Sequence, residues 1–258
     1  MTDNYVLGQG KVFFDEINLT TKLAIGKGRF IGNVPEDGFI ISPAVQEQDH
    51  FESYTGYNRK DARIETQQMA TITVRMEDIN KDNLAIAMFG VSATIPPGSV
   101  TNETKIAHKG FSFHLDRINL TSFTTLALGE APATVYVNGT DYVVDLKTGE
   151  VFIPSTSTIP DATEVKASYV AGAMARTTGF SALNKELWVR FNGKNMAAGL
   201  SPVVAEAFKV RFKPASTLDF IKNAYPGMQL ELTGEILFEP VLENVARYEG
   251  GMYRVLTV

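Results

Sequence analysis

Apolar and polar residues alternate with a period of two along much of the chain. The alternation is clearest in residues 70–76 (ATITVRM), 207–213 (AFKVRFK) and 228–238 (MQLELTGEILF). Successive side chains of a strand point to opposite faces of a sheet, so this period predicts strands that each bury one face. The chain is therefore predicted to be mainly β.

One long segment departs from this pattern of short strands. Residues 29–76 are typical of two strands joined by a long connecting segment. This connecting segment, residues 46–63, is rich in charge and carries Phe51, Tyr54 and Tyr57. Connecting segments of this length in a compact domain are usually functional or disordered, and disordered segments tend to lack aromatic residues. We therefore predict an ordered hairpin arm that reaches past its own domain.

A single helix is predicted at residues 79–89 (INKDNLAIAMF). Asp78 or Asn80 can cap its first turn by accepting hydrogen bonds from backbone N–H groups, and Gly90 can end it. One amphipathic helix beside many strands indicates a helix that packs on a sheet.

A small inserted β unit is predicted in the middle of the chain. Residues 133–154 read as three short strands and residues 164–170 as a fourth. Asn138-Gly139 is a strong signal for a two-residue hairpin, and Gly149 supplies the positive φ that a second turn needs. The predicted division is a β domain of residues 1–120 and 176–258 with a β-meander subdomain at residues 121–175.

Charge and cysteine content narrow the possible functions. The 24 basic residues against 29 acidic ones give a formal charge of −5, which argues against a nucleic-acid reader with a basic face. The chain has no cysteine, which excludes disulfides and thiolate chemistry. The opening residues show no basic stretch followed by an apolar run, and the apolar runs are too short to span a bilayer, so we expect assembly in a cytoplasm and no membrane partner.

Candidate catalytic or metal-binding residues are few and scattered. His108 and His114 are six positions apart with no third ligand nearby, and His50 lies among charges of the arm, where an ordinary hydrogen bond is favoured over a pH-sensitive contact. Asp141 and Asp145 share one face of a strand, a spacing that suits a calcium ion but that turn-forming aspartates also show. We expect no metal site, no cofactor and no enzymatic activity.

Two further groups have both a functional and a structural interpretation. One is a set of aromatic residues that can form a sugar-stacking platform or pack in the core: Trp188, Phe191 and Tyr253. The other is a row of cations that can bind phosphates or face solvent and acidic neighbours: Lys209, Arg211 and Lys213. The structural interpretation is favoured for both, because aromatic residues within strands usually pack in cores and the chain is acidic overall.

Several short segments follow one another in a familiar order. They are residues 5–14 (YVLGQGKVFF), 29–36 (RFIGNVPE), 49–53 (DHFES) followed by Gly56, Arg59, Lys60 and Asp61, 139–153 (GTDYVVDLKTGEVFI), 214–215 (PA) and 230–237 (LELTGEIL). Together they resemble the major tail tube proteins of long-tailed bacteriophages. The resemblance extends over most of the chain, and each of its pieces is short.

The resemblance implies a β-sandwich tube domain, in which two antiparallel sheets pack together with one flanking α-helix and one long loop. It also implies hexameric or pseudo-hexameric rings of copies of the chain, stacked into the hollow tail of a virion assembled in the host cytoplasm. Its implied partners are the tape-measure protein, the tail-terminator and tip proteins, and DNA that passes the lumen without specific binding.

In that setting the arm is expected to join one subunit to the next. Open sheet edges pair when a ring closes, and an arm can provide aromatic anchors and charges that fix the register of the contact. The expected contact residues are Asp49, His50, Phe51, Glu52, Tyr54, Tyr57, Arg59, Lys60 and Asp61. An alternative of another class is a carbohydrate-binding or adhesion β-module that uses residues 133–170 for recognition, and an esterase or glycosidase is a more distant alternative.

Overall fold

The computed structural model describes residues 8–128, 134–197, 199–223 and 227–258. Strands make up 53% of the protein and helix 4%, so the predicted mainly β fold class, with antiparallel sheets and one helix, is confirmed. In chain order the elements are β1 (Gly8–Glu16), β2 (Arg29–Phe30), β3 (Phe39–Phe51), β4 (Lys60–Met76), α1 (Lys81–Ala87), β5 (Val91–Ile95), β6 (Gly98–Ala107), β7 (Ser112–His114), β8 (Leu120–Leu128), β9 (Thr134–Val135), β10 (Val143–Asp145), β11 (Glu150–Phe152), β12 (Thr163–Ala171), β13 (Met174–Thr178), β14 (Glu186–Asn195), β15 (Ser201–Phe212), β16 (Leu230–Ile236) and β17 (Tyr253–Thr257). Residues 5–7 of the first segment that carries the resemblance, and residue 133 at the start of the predicted meander, lie outside the described residues.

The larger of two compact units comprises the residues up to Val91 together with Thr177–Val258. It is built on an eight-stranded sheet with the order β2-β1-β14-β15-β16-β4-β3, in which β17 also pairs with β15. Strand β16 buries one face, as its sequence predicts: Leu230, Leu232 and Ile236 are buried, while Glu231 and Glu235 between them are exposed. This is the period of two expected for a strand with one buried face.

The sheet of the larger unit folds over its main core, and a smaller cluster of Trp188, Phe208 and Leu242 is separate from that core. Phe39 of β3 stacks on Phe191 of β14, with ring centroids 5.5 Å apart, although β15, β16 and β4 separate these two strands in the sheet. Phe14 of β1 contacts Phe212 of β15 in the same core, with centroids 5.2 Å apart. Two halves of one curled sheet therefore face each other, which gives the unit its sandwich-like interior.

Helix α1 is shorter than predicted but begins as expected. Asn80 is its N-cap, and the Asn80 side chain accepts hydrogen bonds from the backbone N–H groups of Asp82 and Asn83. The helix ends at Ala87 with Met88 as its C-cap, and the left-handed conformation that follows a helix end lies at Phe89 (φ 49°), one residue before the predicted stop at Gly90. Within the described residues, no helix is both long and apolar enough to cross a membrane.

The smaller unit, Ser92–Arg176, contains the sheets β6-β12-β8-β9 and β10-β11-β7 around one core. It begins earlier than the predicted insertion at residues 121–175. The composition of residues 91–104 (VSATIPPGSVTNET) predicts a loop, but these residues form β5 and most of β6, and β6 pairs with β12 over eight register positions. Since β7 pairs with β11, residues 92–120 belong to this unit and not to the larger one.

The two predicted turns of the meander have different outcomes. Gly149 has φ +73° and joins the paired strands β10 and β11, as its turn signal predicts. Asn138-Gly139 also forms a turn, closed by a 2.7 Å hydrogen bond from Gly139 N to Tyr142 O, but it does not join two paired strands. The reason is that β9 pairs with β8 while β10 pairs with β11, so the tertiary partners of both strands override the local hairpin signal.

Candidate functional site

The arm is a long antiparallel hairpin of β3 and β4. Its register runs from Phe39 opposite Val74 at the base to Phe51 opposite Lys60 near the tip. Strand β16 pairs with β4 only over Ala70–Met76, so among the described strands the outer ten residues of β4 pair with β3 alone. At roughly 3.3 Å per residue, the ribbon extends about 30 Å beyond the sheet.

The outer part of the arm is exposed on both faces. Every residue from Ser42 to Phe51 and from Lys60 to Met69 is exposed, including the apolar Val45, Ile64 and Met69. The side chain of Ile64 is 61% exposed. A two-stranded hairpin without further support is marginally stable in water, and clustered exposed apolar groups commonly mark interaction sites.

The register divides the outer ribbon into two chemically different faces. One face, which we call the neutral face, carries the pairs Ala44–Met69, Gln46–Gln67 and Gln48–Ile64. The opposite face, which we call the charged face, carries the pairs Val45–Gln68, Glu47–Glu65 and Asp49–Arg63. The next pair on the neutral face is His50–Ala62, but the three pairs named here have no ionised group to desolvate and can be buried at lower cost than the charged face.

Ion pairs link the two strands of the ribbon. The Arg63 guanidinium lies 2.6 Å from a Glu47 carboxylate oxygen and 3.2 Å from an Asp49 oxygen. Lys60 also pairs with Asp49, and its hydrogen bond is the main cause that lowers the pKa of the Asp49 carboxyl below its ordinary value. Exposed pairs of this kind contribute little to stability, but they hold the two strands in one register.

The tip of the arm is organised around a buried carboxylate. Glu52 accepts hydrogen bonds from the backbone N–H groups of Thr55 (2.9 Å), Tyr54 (3.1 Å) and Arg59 (3.3 Å), and from the Thr55 hydroxyl. The hydrogen bond from the Thr55 hydroxyl and those from the backbone lower the pKa of the Glu52 carboxyl. Glu52 therefore shapes the loop from inside, a role that sequence reasoning missed when it assigned this residue to the contact surface.

The two tyrosines of the tip are exposed to solvent. Tyr54 is 85% exposed and Tyr57 is 73% exposed. The Arg59 guanidinium lies 4.7 Å from the centroid of the Tyr57 ring, close enough for a cation–π contact. Behind the tip, His50 Nδ1 lies 2.6 Å from Asp61 Oδ1. The predicted contact residues are thus gathered at the end of one ribbon, with two large aromatic rings outermost.

A cleft of about 500 Å³ lies beside the base of the arm. Part of its wall comes from the ribbon and part from the segment before β17 and from Phe238. Its lining residues are Pro43, Ala44, Val45, Gln68, Met69, Ala70, Phe238, Gly250, Gly251, Met252 and Tyr253. Sequence reasoning did not find this cleft, because its walls are far apart in the chain and no motif marks them.

The histidines do not form a metal site. His50 belongs to the arm, while His108 lies 3.6 Å from Asp161 and His114 pairs with Glu150 in register at the end of β7. Among the described residues, no group of three or more His, Asp or Glu side chains could hold a metal ion.

Asp141 and Asp145 each act as turn formers. Asp141 accepts hydrogen bonds from the Val137 N–H (2.9 Å) and from the Thr158 hydroxyl (2.6 Å). Asp145 accepts from the Lys147 N–H (2.9 Å) and from the Thr148 hydroxyl (2.8 Å). Because these donors occupy the carboxylates separately, the two side chains are not arranged as a shared cation site.

The three aromatic residues considered for a sugar platform are separated. Trp188 is buried against Phe208 and Tyr248, with ring centroids 5.0 and 5.6 Å away. Phe191 stacks on Phe39 in the core, and Tyr253 lines the cleft beside the arm. The structural interpretation is therefore the right one for Trp188 and Phe191.

The cation row on β15 has acidic neighbours. Lys209 Nζ lies 3.0 Å from a Glu239 carboxylate oxygen and 3.5 Å from one of Glu186. Lys213 Nζ lies 3.3 Å from Glu235. Carboxylates thus already neutralise two of the three predicted cations, as the structural interpretation expects.

Comparison with known proteins gives one family. Residues 5–248 match the model of a family described as protein of unknown function UCP028589. A search of curated proteins finds no match.

Proposed function

We propose that this chain, which belongs to the protein family of unknown function UCP028589, is a structural subunit that polymerises into the hollow tail tube of a bacteriophage. Its arm joins one copy to the next, and its sheet edges close the ring. In this role the protein is a virion component that performs no catalysis and needs no cofactor. Its partners are other copies of itself, the tape-measure protein, the terminator and tip proteins of the tail, and transiting DNA.

The observation that carries this proposal is the outer ribbon of the arm. Two strands project about 30 Å with no third strand beside them among the described residues, and they expose apolar side chains and two tip tyrosines. A ribbon of this kind gains stability when another surface covers it. In a polymer, a neighbouring copy of the same chain covers the ribbon.

The edges of the large sheet support a closed ring. Strand β3 is the last strand of its sheet, and β2 covers β1 only at Phe13 and Phe14, so Gly8–Lys11 of β1 are not covered by β2. Exposed strand edges pair readily with other strands. A head-to-tail contact between such edges gives a ring if its rotation closes, and the arm then links one ring to the next.

The overall charge is compatible with a lumen that conducts DNA. The formal charge of −5 and the carboxylates beside Lys209 and Lys213 leave little net attraction for phosphates. Affinity for nucleic acid comes mainly from cations that neutralise phosphates. DNA can therefore pass such a surface without being held.

The test is to shorten the arm without disturbing its base. Val45 and Gln68 are direct register partners, so residues 46–67 can be replaced by an Asn-Gly turn that closes a two-residue hairpin. Negative-stain electron microscopy should show rings or tubes of the full-length protein and none of the shortened variant. Circular dichroism and urea unfolding check that the variant keeps its β fold. A full-length protein that stays monomeric at millimolar concentration would contradict the proposal, and so would normal tubes from the shortened variant.

The alternative of a carbohydrate-binding or adhesion module rests on residues 133–170. Among the described residues of this segment, Tyr136, Tyr142 and Tyr169 are buried, and Phe152, at 40%, is the one exposed aromatic residue. Stacking on sugars needs an exposed aromatic face. Binding of the purified protein to a glycan array, in the absence of any polymer, would favour this alternative over the tail tube.

A further inference from the structure

We propose that the cleft beside the base of the arm receives the arm tip of a second copy of this chain. The inference rests on the proposed self-assembly and identifies which surface accepts the arm. It makes the contact heterologous, because the donor surface, Tyr54 and Tyr57, and the acceptor surface, the cleft, are different parts of one molecule.

The cleft is an apolar and uncharged recess. Val45, Ala70 and Met252 contribute apolar walls, and none of its eleven lining residues carries a formal charge. Its volume of about 500 Å³ is within the range of sites that hold small organic groups. Gly250 and Gly251 lie on its rim without side chains to obstruct it, and Gly250 has φ +70°.

The sheet topology explains why the recess exists. Strand β15 pairs with β16 at Val210–Phe212 and with β17 at Val203–Ala207, both on the side of β15 away from β14. Strand β4 pairs with β16 but, past Ala70, has no described partner on that side. The base of the arm and the start of β17 therefore border a gap in the sheet. No described strand pairs with β4 on the side of β4 that faces this gap.

The arm tip matches this recess in chemistry. Tyr54 and Tyr57 present large rings with one hydroxyl each, the amphipathic type of side chain that anchors protein interfaces. The Glu52 carboxylate of the tip already accepts four hydrogen bonds, and the Arg59 guanidinium lies over the Tyr57 ring. Docking of the two rings therefore needs no partner in the cleft for the Glu52 carboxylate.

Two other occupants do not fit the recess. A nucleic acid or another polyanion needs cations to neutralise its phosphates, and the lining supplies none. A tip from the same molecule cannot reach the recess, because the paired strands hold the tip about 30 Å from the base. A second copy brings both the right aromatic groups and the necessary reach.

The test uses the absence of cysteine from the chain, which removes any background of disulfide formation. Ser53→Cys places a thiol beside the tip tyrosines, and Ala44→Cys places one in the cleft, both at exposed positions. Leu183→Cys is the control, because Leu183 is 92% exposed and precedes β14 near the Phe212 end of β15, away from β17. Pairs of single variants are mixed at polymerising concentration and oxidised, and covalent dimers are quantified on a non-reducing gel.

The expected result is that Ser53→Cys mixed with Ala44→Cys gives at least about tenfold more mixed dimer than Ser53→Cys mixed with Leu183→Cys, because disulfides form only between closely placed thiols. Equal yields from the two mixtures, with tubes still present, would overturn the acceptor assignment and leave the tail-tube proposal intact. A double variant, Ser53→Cys with Ala44→Cys, that closes only within one chain would likewise overturn docking to a second copy. A wild-type protein without rings or tubes would overturn the function itself, and this inference with it.

Discussion

Phe39 at the base of the arm stacks on Phe191 of β14, with ring centroids 5.5 Å apart and ring planes 20° apart. The contact ties the first residue of the arm to the interior of the sheet. The arm therefore has a base packed in the core and an outer ribbon that no other described strand supports. This contrast makes the effects of substitutions at the base, the ribbon and the tip separable by experiment.

Substitutions on the two faces of the ribbon should differ in their effect on assembly. Ile64 lies on the neutral face and Glu65, the next residue, lies on the charged face. Ile64→Lys places an ammonium group on the surface proposed to be buried, and we expect the critical concentration for tube growth to rise at least about tenfold, equivalent to about 1.4 kcal/mol per contact. Sedimentation at a series of protein concentrations gives the value.

The matched control for this substitution is Glu65→Lys, which changes the charge by two units but on the face expected to stay in solvent. We expect it to shift the critical concentration less than Ile64→Lys does. If Glu65→Lys is the more damaging of the two, the charged face is the one buried in the polymer and the assignment of faces is reversed.

Loss of the Glu52 carboxylate should loosen the tip. Glu52→Ala removes the acceptor of four hydrogen bonds that fold the loop, so chymotrypsin should cleave after Tyr54 and Tyr57 several times faster than in the wild-type protein. Glu65→Ala on the ribbon is the control and should leave these cleavage rates unchanged. Unaltered cleavage in Glu52→Ala would show that the loop keeps its shape without the carboxylate.

The same carboxylate predicts a dependence on pH. The pKa of Glu52 is lowered in the folded tip, so ionisation stabilises the tip above the unfolded pKa, which is about 4.3 for glutamate. This stabilisation is lost as the pH falls through the lower folded pKa. We expect tip cleavage by an acid-active protease to increase below about pH 4 in the wild-type protein and to be less pH-dependent in Glu52→Ala.

Asn83 should be important for the stability of the larger unit. Its buried side chain donates to the carbonyl oxygens of Ile31 (2.8 Å) and Asp78 (2.7 Å) and accepts from Arg29 (2.7 Å). Asn83→Ala leaves these groups without a partner, and we expect it to lower the free energy of unfolding by on the order of 2–4 kcal/mol. Asn80→Ala, which removes only the helix cap, should cost about 1 kcal/mol. Urea unfolding of both variants tests the order, and equal losses would contradict it.

Alanine substitutions at two glycines of the smaller unit distinguish the cost of backbone strain from the cost of a steric clash. Gly149 and Gly139 both have positive φ, +73° and +85°. A Cβ at Gly149 would lie 2.4 Å from the Arg117 carbonyl oxygen, whereas a Cβ at Gly139 meets nothing within 4 Å. Gly139→Ala should cost about 1–2 kcal/mol from conformation alone. Gly149→Ala should cost clearly more, as measured by the midpoint of thermal unfolding, and the prediction fails if the two variants unfold alike.

The sequence predicts those parts of the fold that strand alternation or cap residues specify. The buried leucines of β16, the Asn80 cap and the two strands of the arm are all visible in the pattern, because each depends on residues close together in the chain. Strands β5 and β6 were missed because they are rich in serine and threonine and flank Pro96 and Pro97, a composition typical of loops. Residues 98–107 form strand β6 because they pair with β12, which is distant in the sequence.

The candidate site is predictable only in outline. The exposed aromatic and charged residues of the tip can be recognised from composition, but the inward position of Glu52 and the division of the ribbon into two faces depend on the register of β3 and β4. That register includes shifts between Gln46 and Glu47 and between His50 and Phe51, which the sequence does not mark. A shift of one residue exchanges the faces, so a pattern alone could not assign them.

The continuous backbone of β4 has a mechanical consequence. The same strand forms one side of the ribbon and, from Ala70 to Met76, an interior strand between β16 and β3. Tension applied to the tip along the strand axis therefore loads the hydrogen bonds of seven β4–β16 register positions together, in shear, and does not open them one at a time. A chain with this connection can transmit a pull on its outermost loop to its centre while it remains folded.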